Sequence, residues 1–142
     1  MLERNNPKLK FWDFALRGKS QIFHPKEDTF FKKVPGGWLM RHLFFRGKKY
    51  TRSSILFIPD RDLAWQDEEA DIEWASVNIK STPNSKIFLH RLKAPEGWAV
   101  KELLTTKSAA GSDGTYDLTL AYIPDPDHQW ALEKGEIERG QN

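Results

Sequence analysis

Several segments of the chain alternate side chains with the period of two that marks β-strands. Residues 117–123 set Leu118, Leu120 and Tyr122 against Asp117, Thr119 and Ala121, which is the clearest strand pattern in the sequence. Residues 53–58 put Ile55 and Phe57 on one face in the same way, and residues 29–34 and 86–92 also read as strands. In residues 38–45, Trp38, Met40, His42 and Phe44 oppose Leu39, Arg41, Leu43 and Phe45. Neither set is polar, so cover is expected on both sides of that sheet. Residues 72–79 alternate Glu73, Ala75, Val77 and Ile79 with Ile72, Trp74, Ser76 and Asn78, predicting a linking strand that turns at Pro83-Asn84. Helix signals are local. Asn6 as cap, Pro7 at the first helical position and Gly18 at the exit predict a short helix, although its aromatic residues also suit an edge strand. Asp125-Pro126 predicts a second short helix running to Lys134 and closed by Gly135, with a weaker twin over residues 60–66.

The same succession occurs twice. Pro35, Gly37, Trp38 and Arg41 align with Pro95, Gly97, Trp98 and Lys101 at an offset of 60, while Ile58, Pro59, Asp60, Asp62 and Trp65 align with Ile123, Pro124, Asp125, Asp127 and Trp130 at an offset of 65. The spacing predicts an internal duplication. Its two copies differ in length between the paired blocks, where Arg46-Gly47-Lys48-Lys49 faces the longer Lys107 to Gly114, so both places are expected to be turns. The Gly-Gly-Trp then Pro-Asp pattern resembles one in small bacterial and phage-borne proteins, a likeness that implies neither an activity nor a functional residue.

At 142 residues the chain is expected to form one domain: an N-terminal segment 1–28, repeat one 29–66, a linking segment 67–85, repeat two 86–132 and a mobile tail 136–142. Without cysteine there are no disulfides, thiolate metal sites or cysteine nucleophiles, which fits a reducing, cytoplasmic setting. No apolar stretch nears the roughly 20 residues of a membrane span, and no signal-peptide pattern opens the sequence. Net charge is +2 but segregated: residues 41–52 hold five basic residues and no acid, whereas residues 60–73 hold seven acids against Arg61 alone.

Candidate chemistry is sparse. Asp60 and Asp62, with Asp125, Asp127 and His128, resemble oxygen-rich metal ligands, but aspartate between a strand and a helical turn is better explained as a cap for orphan amides. His24, His42, His90 and His128 show no paired metal spacing and read as hydrogen-bonded structural residues. Gly111-Ser112-Asp113-Gly114 lacks the strand and helix that flank a phosphate loop and reads as a hairpin turn. Arg46, Lys48, Lys49, Tyr50 and Arg52 form a basic hairpin tip with one aromatic, able to meet phosphates while Tyr50 stacks on a base; a lysine-rich tip also protects a sheet edge from aggregation.

The expected fold is mainly β with short helices, built from tandem three-stranded meanders in a pseudo-twofold curved sheet or open barrel. The expected function is a small intracellular, non-enzymatic binding protein that presents an aromatic and charged surface to a protein partner, with no cofactor. A phage or mobile-element origin fits the likeness noted above. Nucleic-acid binding through residues 46–52 is the alternative, and a metal-dependent hydrolase using the two Pro-Asp motifs is third.

Overall fold

The computed structural model describes residues 2–18, 26–46, 49–107 and 114–132. Residues 133–142, His24, Gly47-Lys48 and Gly111-Ser112-Asp113, for which the sequence carries expectations, lie outside the described residues. The protein is mainly β, with two antiparallel sheets in which strands neighbouring in sequence pair in space. The first sheet has the order β1 (Leu2–Arg4), β2 (Phe14–Arg17), β3 (Lys26–Val34), β4 (Gly37–Arg46) and β5 (Lys49–Pro59). The second has the order β6 (Trp74–Ser81), β7 (Ser85–Ala94), β8 (Gly97–Thr106) and β9 (Tyr116–Pro124). The chain divides into two compact units, residues 1–73 and 74–142, each holding one sheet.

The long hairpins follow from their turns. Val34 pairs with Gly37, leaving Pro35-Gly36 as the tip, and Gly36 has φ of 83°, the left-handed conformation that this turn requires. A Cβ on Gly37 would overlap the carbonyl oxygen of Ile58, and one on Gly97 would overlap that of Ile123. Glycine therefore opens β4 and β8 because a neighbouring strand lies against the backbone there. Each hairpin ends in proline: Pro59 pairs with Gly37 and Pro124 with Gly97.

The helices expected from local signals are corrected. Residues 6–18 form a single 3-10 turn, Pro7–Leu9, and then β2. Asn6 does cap, accepting from Lys8 N at 3.0 Å, but Lys10 turns left-handed at φ 57° and stops the helix. Phe14 to Arg17 then pair with β3, and Phe14 stacks on Phe31 with ring centroids 4.6 Å apart. Cross-strand pairing and ring burial outweigh one turn of helix. No helix follows Asp125 through residue 132, and the twin is only a 3-10 turn, Ala64–Gln66. His128 and Leu63, both at φ 52°, break the helical path at equivalent places.

The units bury different faces of corresponding strands. β4 buries Trp38, Met40, His42 and Phe44, with Phe14, Phe31, Ile58 and Trp65 in the same aromatic core. After Trp98, β8 buries the opposite set, Ala99, Lys101 and Leu103, with Leu92 and Ala94. Lys101 is tolerated there with its ammonium 4.4 Å from the centre of the Trp74 ring. The expectation of cover on both sides of the first sheet is met only in part. Leu9 and Trp12 pack with Ala15, Phe30 and Leu43 on the second face, while Ile55 and Phe57 on β5 are 58% and 47% exposed.

Candidate interaction surface

The Pro-Asp motifs position tryptophans. Asp60 Oδ2 accepts from the indole Nε1 of Trp38 at 2.8 Å and from Trp65 N at 3.0 Å, while Oδ1 accepts from Ala64 N at 2.8 Å. Asp125 repeats the set with Trp98 Nε1 at 2.8 Å, Trp130 N at 2.9 Å and Gln129 N at 2.9 Å. Each aspartate N donates back to the hairpin tip, Asp60 to Gly36 O and Asp125 to Glu96 O, both at 3.0 Å. One carboxylate thus ties a tip, the tryptophan opening a strand and the tryptophan closing the motif through charge-assisted bonds. These donors, Gln129 N foremost and then the Trp98 indole and Trp130 N, with His128 adding, hold the Asp125 carboxyl below the usual carboxylate range against the opposing effect of burial.

Of the residues with metal-like spacing, Asp60, Asp125 and His128 have partners within the fold. Asp62 and Asp127 are exposed. His128 Nε2 donates to Ala94 O at 2.6 Å, and its ring meets Trp98 edge-on. No group of three or more His, Cys, Asp or Glu able to hold a metal occurs among the described residues. His42 is buried between Thr29 Oγ1 at 2.8 Å and Glu27 Oε1 at 2.9 Å, so both ring nitrogens are engaged. An arginine finishes each motif: Arg4 donates to Trp65 O at 2.9 Å over the Phe14 ring, and Arg91 donates to Trp130 O at 2.7 Å between Trp98 and Trp130.

The basic hairpin joins β4 to β5. Arg46 pairs with Lys49, Phe45 with Tyr50 and Phe44 with Arg52, with a register shift between Phe44 and Phe45. Arg52 is exposed and Arg46 half-buried. The hairpin leads directly into a second feature, the open face of β4 and β5. Rows run across this face as Lys32, Leu39, Phe57, then Phe30, Arg41, Ile55, then Asp28, Leu43, Ser53. On the β2 and β3 side, Trp12 and Phe11 shelter the rows, with Arg41 5.0 Å above the Trp12 ring and Lys32 5.0 Å above that of Phe11. Toward β5 the shelter ends, and a depression of about 430 Å³ opens between Arg41, Leu43, Ser53, Ser54 and Ile55.

The structure therefore places Lys49, Tyr50 and Arg52 at the start of β5, with Arg46 paired opposite at the end of β4, and Ile55 and Phe57 farther along β5. Sequence reasoning singled out the basic tip and missed Arg41, Ile55 and Phe57 as surface residues. A signal was present: residues 55–58 are apolar at both parities, and Pro59 ends a strand that the fold leaves last in its sheet. An edge strand with two apolar faces has more apolar surface than one core can cover. No family model, curated protein or solved structure matches the chain.

Proposed function

We propose that the chain is a tandem duplication of one meander unit, residues 29–66 and 86–132, whose first copy has become the interaction surface of a non-enzymatic, intracellular binding protein with a protein partner. The duplication is supported by the two aspartate-centred bond sets, which match donor for donor. The binding role is carried by one observation: Ile55 and Phe57 stand exposed on an edge strand beside Arg41 and the basic hairpin. In the second copy the corresponding Leu120 and Tyr122 are half-buried, and the exposed set of β9 is Asp117, Thr119, Ala121 and Ile123, so its open face is more polar than that of β5. The absence of cysteine fits a reducing interior. A binding role also fits side chains already engaged within the fold, since the Asp60 and Asp125 carboxylates and both nitrogens of His42 have internal partners.

Photocrosslinking residues placed at Phe57, at Arg52 and at the exposed Ser81 of the second unit test this reading in living cells. A discrete protein adduct from position 57, absent from position 81, is expected. Adducts to nucleic acid from position 52, with none to protein from position 57, overturn it in favour of a nucleic-acid-binding hairpin.

A further inference from the structure

Building on that reading, we propose that the outer edge of β5 takes up an extended, acidic segment of the partner as an added strand. Hydrogen-bond phase identifies which residues face outward. Asp60 N donates to Gly36 O, making 36 and 60 a hydrogen-bonded pair, and the alternation of an antiparallel ladder then turns Ile58, Leu56 and Ser54 toward β4. Ser53, Ile55 and Phe57 accordingly point their backbone N–H and C=O away from the sheet. Pro59 falls at an outward position, where its missing N–H leaves no gap in the β4 ladder. β5 is last in its sheet, with no strand beyond it among the described residues. The residues that offer unpaired backbone thus also carry the exposed apolar side chains, as strand addition requires.

Charge selects the occupant. Residues 41–62 contain six basic residues and two acids, and one of these acids, Asp60, is buried in its tryptophan lock. A second copy of the chain would bring the same cations to the edge. An incoming strand that alternates apolar residues, on the face of Ile55 and Phe57, with carboxylates, on the opposite face beside Arg52, satisfies both features.

The probe is a fluorescein-labelled nonapeptide alternating Glu and Val, followed by anisotropy with the full chain. Two further versions carry N-methyl groups on alternate amides, one in each phase. The expected result is binding that weakens with salt, at least tenfold weaker in one N-methyl phase and unchanged in the other, with no binding of a control Lys-Val peptide in which Lys replaces Glu. Equal binding of both N-methyl forms overturns strand addition while leaving the side-chain surface standing. Failure of the unmethylated peptide to bind, or equal binding of the Lys-Val peptide, overturns the acidic segment. Sedimentation as a dimer that Ile55→Glu dissociates assigns the edge to a second copy instead. Displacement of the peptide by a thymidine oligonucleotide assigns the site to nucleic acid and overturns the protein-partner reading as well.

Discussion

Replacing Asp60 with alanine leaves three donors without their carboxylate: the Trp38 indole, Trp65 N and Ala64 N. Trp38 and Trp65 are 2% and 4% exposed, so water cannot readily replace the carboxylate there, whereas Ala64 is exposed and its amide can be hydrated. Two buried unsatisfied donors at about 1–3 kcal/mol each give a loss of about 2–6 kcal/mol, a large part of a typical domain's stability. At a urea dependence of about 2 kcal/mol per molar, the unfolding midpoint falls by about 1–3 M. Asp62→Ala is the control, since Asp62 is exposed on the next turn, and its midpoint stays within about 0.5 kcal/mol equivalent of wild type. Urea unfolding monitored by tryptophan fluorescence reads both variants. If Asp60→Ala unfolds at the wild-type midpoint, the carboxylate is not what holds the two tryptophans.

Trp38→Ala removes a ring in contact with Phe14 and Trp65 and is expected to lose about 3–5 kcal/mol by denaturant titration; a midpoint equal to wild type contradicts the aromatic core. Because Asp125 is held below its ordinary pKa, its contribution is present at neutral pH and is lost as pH falls from about 4 through the lowered value. Asp125→Asn should flatten that part of the stability–pH curve, and an unchanged acid limb would show that the carboxylate is uncoupled from folding. The Tyr122 hydroxyl is buried without a hydrogen-bond partner among the described residues, so Tyr122→Phe is expected to leave stability unchanged or raise it by about 1 kcal/mol; a clear loss in thermal unfolding would reveal a bond to that hydroxyl.

Much of the strand plan was legible because glycine, proline and alternation act locally. Pro35-Gly36, Pro95-Glu96 and the two Pro-Asp pairs bound β3, β4, β5, β7, β8 and β9 to within a few residues. The helix signals misled for a related reason. The Asp125 carboxylate accepts from Gln129 N and Trp130 N, two positions beyond the amides that a helix cap would reach, and it also holds the Trp98 indole 27 positions earlier. No periodicity records such a bond. The face that each strand buries was the least legible. Met40 and Leu39, or Val100 and Ala99, are all apolar, so parity alone did not distinguish the core of β4 from the opposite choice in β8. The open face of β5 was hidden in the same way, since Ile55 and Phe57 resemble core residues in every respect except exposure.

The most direct test of the binding account uses the partner captured from position 57. Its dissociation constant is measured for the wild-type chain and for the Ile55→Glu/Phe57→Glu variant, after thermal unfolding has shown that the two are equally stable, as expected for exposed positions. The account predicts at least a tenfold weaker affinity in the variant. Equal affinities at equal stability would contradict it, because the partner would then be held by a surface other than β5.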